Sequence, residues 1–151
     1  MVLTFGITID GVFAQTIDII DTVSIDDTGA LELDGARGIT SFVIGGKTYV
    51  GVAGFIDNGV QIIDVTDPAD ITAADSIDDT TSLELEGVWN ITSFVIGGKT
   101  YVGVTGSDDD GVQIIDVSDP ADITAADSID DTDATLELDG ARGITSFVIG
   151  G

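Results

Sequence analysis

Cysteine and histidine are both missing from this 151-residue sequence. The first absence rules out a disulfide framework and thiolate metal sites. The second removes the commonest general base, the Ser-His-Asp and Cys-His constellations, and imidazole ligation of zinc. Basic residues are nearly absent as well: Arg37, Lys47, Lys99 and Arg142 stand against 24 Asp and four Glu, for a net charge of −24. A nucleic-acid backbone is bound by clustered Lys and Arg, so this chain would repel it, and anionic membrane surfaces are disfavoured on the same ground. Asp, Gly or Thr interrupts the apolar residues every few positions, so no run reaches the roughly 18 residues that a helix needs to span a bilayer.

What is present is 43% apolar, enough for a packed core rather than disorder, but a core assembled from many short elements. Asp outnumbers Glu six to one. Asp bonds back to its own backbone in turns whereas Glu favours helix, so the bias points to a loop-rich β protein. So negative a balance also destabilises the compact state by self-repulsion, which salt or bound cations relieve.

The dominant feature is internal repetition. Residues 39–52 read ITSFVIGGKTYVGV; the same fourteen residues recur at 91–104 and begin again at 144 as ITSFVIGG, with periods of 52 and then 53. A second block, GVQIIDVTDPADITAADSIDDT at residues 59–80, returns at 111–132 with one change, Thr66 to Ser118. Repetition this strict governs the reading of every local motif. Each unit holds four stretches with strand character. Residues 39–44 and 48–53 are β-branched and aromatic runs joined by Gly45-Gly46, a two-residue hairpin signal, and form strands a and b. Residues 59–65 form strand c, stopped by Asp67-Pro68, and residues 71–77 form strand d. Val60, Ile62, Ile63 and Val65 break the alternation of strand c, which predicts burial on both faces.

Four antiparallel strands per unit of about 50 residues is the β-propeller pattern and fits better than a solenoid or a sandwich. The expected fold class is therefore all-β, a propeller fragment divided into a partial blade at 16–38 (strand d and its connection), full blades at 39–90 and 91–143, and the strand a of another at 144–151. Propellers close with about four to eight blades, so closure is expected to draw on further blades of a longer chain or on other copies. Residues 1–15 do not match the repeat. Val12-Phe13-Ala14 satisfies the small-residue rule for signal-peptidase cleavage, while Asp10 and the lack of Lys or Arg leave an extra strand pair as the other reading.

GVQIIDVTDPAD at residues 59–70 and GVQIIDVSDPAD at 111–122 resemble the LVIVD-type repeats, and the whole unit, through SIDDT and LELDG, is similar to tandem repeats of secreted proteins from marine archaea. The resemblance implies a β-propeller in an extracellular or cell-surface protein. Its motifs are strand and turn residues, so it carries over no catalytic position.

Comparison of the two full units locates a candidate site. Apart from Thr66/Ser118 they differ in two regions only: 53–58 against 105–110, at the b-c loop, and 81–90 against 133–143, in the d-a connection. Strands of a blade alternate in direction, so these two connections share one rim, and loops on a rigid scaffold are the usual place for binding residues. Neutral drift in loosely constrained loops is the bland alternative. On this rim Arg37 and Arg142 become Trp89 in the middle unit, and with Phe55 they form the candidate ligand-binding set, a Trp beside Arg residues being able to stack on a sugar or peptide or to fill a gap between blades. Asp108, Asp109 and Asp110 concentrate three carboxylates before Gly111 and are the candidate Ca²⁺ ligands, although their spacing is not that of an EF-hand and a solvated acidic turn is the simpler reading. The paired acids Asp26-Asp27, Asp78-Asp79 and Asp130-Asp131 read as turn caps. Asn90-Ile91-Thr92 matches the N-glycosylation pattern.

The expected function is a non-enzymatic, secreted or cell-surface repeat module that binds a protein, glycan or surface through this rim, near-identical units gaining avidity from linkage. A propeller hydrolase using paired carboxylates and a purely structural surface-layer repeat are the alternatives; acids copied in every unit do not supply the unique constellation that catalysis requires.

Overall fold

A computed structural model describes residues 23–132 and 135–148. The strand d expected from Asp18 lies outside the described residues up to residue 22 and is no strand at residues 23–28; both readings of residues 1–15 lie outside the described residues. The described chain is all-β: eight strands in two four-stranded antiparallel sheets, β1 (Ala36–Ile44), β2 (Lys47–Gly54), β3 (Gly59–Asp64) and β4 (Thr72–Asp78) in one, β5 (Val88–Ile96), β6 (Lys99–Gly106), β7 (Gly111–Asp116) and β8 (Thr124–Asp130) in the other. Each sheet is a meander in sequence order. Among the described residues no helix is long and apolar enough to cross a membrane.

The local chemistry of the repeat explains the meander. Gly45 and Gly46 turn β1 into β2 with φ of 59° and 82°, and Gly97 and Gly98 turn β5 into β6 with 60° and 82°, the positive pair that a primed two-residue hairpin needs. After β3 the Asp64 carboxylate accepts the Thr66 N–H at 2.9 Å and Asp67 accepts the Ala69 N–H at 2.9 Å, so the DPAD segment folds on its own side chains before β4 begins.

Strand a starts earlier than its β-branched run predicts, at Ala36 and Val88, because a bulge carries the ladder across an irregular stretch. Ala36 pairs with Gly54 and Gly38 with Ala53, leaving Arg37 as the extra residue; Val88 pairs with Gly106 and Asn90 with Thr105, leaving Trp89. A second bulge recurs at Ala74 and Ala126.

The sheets pack through β1 and β2 against β5, with Val60, Ile62, Val88, Ile91, Val102 and Val104 buried in the core. Their backbones approach closely at Gly38, where a Cβ would fall 2.7 Å from the Asn90 Cα. Thr40 donates to the Ser93 hydroxyl at 3.1 Å, and Ser93 donates to the Ser41 carbonyl at 3.0 Å. The expected burial of strand c on both faces holds for β3, whose Gly59 to Ile63 are all buried, but β7 alternates, with Val112 and Ile114 only half-buried. Ile62 borders Gly51 together with Ile91 of β5, and Ile114 borders Gly103 together with Ile144 of the third copy of the repeat.

That third copy departs from expectation. Ser146 donates to the Ser93 carbonyl at 3.2 Å, as Ser93 does to Ser41, yet residues 144–148 form no ladder and are not a strand. Strand propensity does not make a strand without an edge to pair with, and among the described residues no strand stands beside residues 144–148 as β2 stands beside β1 and β6 beside β5. Phe42 stacks on Tyr49 across its hairpin, with centroids 5.9 Å apart, and is 8% exposed; Phe147, which has no such partner among the described residues, is 77% exposed.

Candidate functional site

Hydrogen bonds place the two variable regions on one rim. Phe55 and Ile56 in the β2-β3 turn donate to the carbonyls of Gly35 and Asp34 in the segment ahead of β1, and Ser107 and Asp108 repeat this with Gly87 and Glu86. In return the Asp57 carboxylate accepts the Asp34 N–H at 2.7 Å, and the Asp109 carboxylate accepts the Glu86 N–H at 2.6 Å. Asn58, held at φ 59°, accepts the Gly87 N–H at 2.8 Å, and Asp110, at φ 55°, accepts the Gly140 N–H at 2.7 Å. Each b-c turn is therefore clamped both to its own unit's entry segment and to the next unit's.

On this frame the four side chains of the candidate ligand-binding set meet. The Arg37 guanidinium lies 3.6 Å from the Phe55 ring centroid and 3.7 Å from that of Trp89, and Arg142 lies 4.2 Å from Trp89. Phe55 meets Trp89 edge to face, with centroids 5.6 Å apart. The arginines are exposed and the aromatics half-buried. Arg37, Trp89 and Arg142 occupy the same repeat position in three successive units, and the first two are the bulge residues. A bulge re-aims its side chain out of the ladder, which lifts these groups to the rim. Where Phe55 has its counterpart, Ser107 is buried and donates to the Gly87 carbonyl at 2.9 Å, so the cluster exists at only one of the two junctions.

The acidic triplet is arranged differently. Asp108 accepts the Ser107 hydroxyl at 3.2 Å, while Asp109 and Asp110 accept the Glu86 and Gly140 N–H groups. Each carboxylate thus serves a separate donor, and among the described residues no three acidic side chains converge as a metal site. Two of the three recurring acid pairs cap turns: Asp27 accepts the Gly29 N–H at 3.0 Å, and Asp130 accepts the Thr132 N–H at 3.1 Å, whereas in Asp78-Asp79 the Asp79 Oδ1 is buried without a hydrogen-bond partner among the described residues. Asn90 uses its side-chain carbonyl on the Ile91 N–H at 2.8 Å and lies within β5 beneath Gly38.

Two features escape a reading of the sequence. Gln61, in the middle of an apolar strand, is fully buried; it accepts the Glu32 N–H at 3.2 Å and donates to the carbonyls of Ile62 and Asp75 at 3.0 and 2.8 Å, and Gln113 repeats the set. A polar residue amid Val and Ile was the available signal. Glu32 is the other: burial, a hydrogen bond that its protonated carboxyl donates to the Asp78 carboxylate, and the charges of Asp78, Asp57 and Asp27 push its carboxyl up to about 7. Glu84 is raised in the same sense by burial and by Asp109, Asp130 and Asp79.

Both lysines are neutralised on the opposite rim, Lys47 by Asp64 at 2.9 Å and Lys99 by Asp116 at 2.8 Å. Thr66 and then Lys47 hold the Asp64 carboxyl down at about 2, and Lys99 and then Ser118 do the same for Asp116. A scan against protein-family models and a search of the curated proteins return no match to this chain.

Proposed function

We propose that this chain is a non-enzymatic recognition module, built of propeller blades of the LVIVD type and working outside the cell or at its surface, with the Arg37, Phe55, Trp89 and Arg142 rim as its contact face. One observation carries the reading. The two sheets share their registers, turns and buried glutamines residue for residue, and they diverge where these four side chains converge. A frame copied with so little change, bearing one cluster that is not copied, is how a rigid scaffold presents a specific surface. The self-repulsion of a −24 chain suits salty surroundings.

Surface plasmon resonance of the immobilised chain against a panel of purified polysaccharides and cell-surface proteins tests this. Binding to one member, lost in Trp89→Ala and in Phe55→Ser with circular dichroism unchanged, supports the assignment. Binding that survives both substitutions overturns it, as does a panel with no binder.

A further inference from the structure

We infer that the rim cluster is an anion site whose ligand group is a carboxylate, an assignment that rests on the reading of this rim as a recognition surface. With four basic side chains among 28 acidic ones, an unpaired base is the unexpected state. Both lysines have carboxylate partners. Neither arginine does among the described residues. Instead both guanidinium groups are held against one indole, and an anion beside that indole is attracted by both charges.

The geometry also decides what remains available. The Arg37 guanidinium lies against the Phe55 and Trp89 rings and that of Arg142 against Trp89, so aromatic surface that a sugar ring would stack on is occupied in part by the two cations. Both arginine side chains belong to exposed residues, and a guanidinium carries its N–H donors in a fixed fork that matches a carboxylate bidentately. Arg37 also borders a shallow depression of about 500 Å³, but Asp26 and Asp27 line it too. Those acids oppose an anion entering there, so the carboxylate approaches from the Trp89 and Arg142 side.

Trp89 is the sole tryptophan and reports the site directly. The full chain is titrated with sodium glucuronate, with polygalacturonate and with neutral glucose while its fluorescence is followed. Saturable change with glucuronate assigns a free carboxylate; saturation with polygalacturonate alone assigns a polymer-borne one. Either supports the site if Arg37→Gln and Arg142→Gln each weaken it about tenfold or more and Arg37→Lys, which keeps the charge and loses the fork, weakens it too. Thermal melts establish that the variants are folded. No saturation with either carboxylate, an equal response to glucose, or binding indifferent to both arginines overturns the inference. If a panel partner is lost in Trp89→Ala while no carboxylate binds, the anion site falls and the recognition reading stands.

Discussion

The Asp75 carboxylate at the outer strand β4 accepts the backbone N–H of Ile123, ahead of β8, at 2.8 Å. This bond ties the outer edge of one sheet to the next, far from the β1-β5 contact. Its repeat counterpart, Asp127, accepts only its neighbour Ser128 at 3.0 Å and is exposed. Asp75→Ala is expected to lower stability by about 1–2 kcal/mol, the cost of leaving a part-buried N–H without its charged partner, and Asp127→Ala to change it by less than about 0.5 kcal/mol. Urea denaturation of the two variants checks the contrast, and equal losses would contradict it.

Gly38 offers a second internal comparison. A Cβ there meets the Asn90 Cα at 2.7 Å, a backbone atom that cannot swing aside, whereas at Gly143, its counterpart two units along, a Cβ meets nothing within 4 Å. Gly38→Ala should cost about 1–3 kcal/mol by forcing β1 off β5, and Gly143→Ala should be close to neutral. Thermal melting distinguishes them.

The buried amide of Gln61 holds the segment before β1 against both β3 and β4. Gln61→Leu keeps the volume but strands the Glu32 N–H and the Asp75 carbonyl, with an expected loss of about 1–3 kcal/mol. Hydrogen exchange is expected to accelerate at Glu32 first, and unchanged protection there would count against the bond.

Glu32 sets a pH dependence. Its carboxyl is raised from 4.5 to about 7, so the folded state favours the protonated form. The stability this contributes is fully present below pH 4.5 and is lost as pH rises through about 7. Glu32→Gln, neutral throughout, should be more stable than the parent at about pH 8 and should show a flatter change in urea midpoint between about pH 5 and pH 8. Midpoints that run parallel for the two proteins would exclude Glu32 as the titrating group.

Much of this architecture is legible in the chain because the repeat supplies its own control. The doubled glycines, the Asp-Pro stops and the even spacing of apolar runs give both hairpins and both meanders, and the positions where the two copies disagree lead to Phe55 and Trp89. What resists reading is whatever depends on pairing between distant residues. Arg37 and Trp89 become bulge residues only through the register of β1 on β2 and β5 on β6. Three successive Asp residues look like one cluster until Glu86, 23 positions before Asp109, and Gly140, 30 positions after Asp110, are seen to take two of them. Residues 144–148 have the composition of β1 and β5, yet composition provides no neighbouring edge.

Thr40 donates forward to Ser93, but most of the contacts between units run the other way. Ser93 donates back to Ser41 and Ser146 back to Ser93, as Ile123 does to Asp75, Gly87 to Asn58 and Gly140 to Asp110. In these five bonds the acceptor belongs to the part of the polypeptide that leaves the ribosome first, so each unit presents oxygens that donors of the following unit can meet as they emerge.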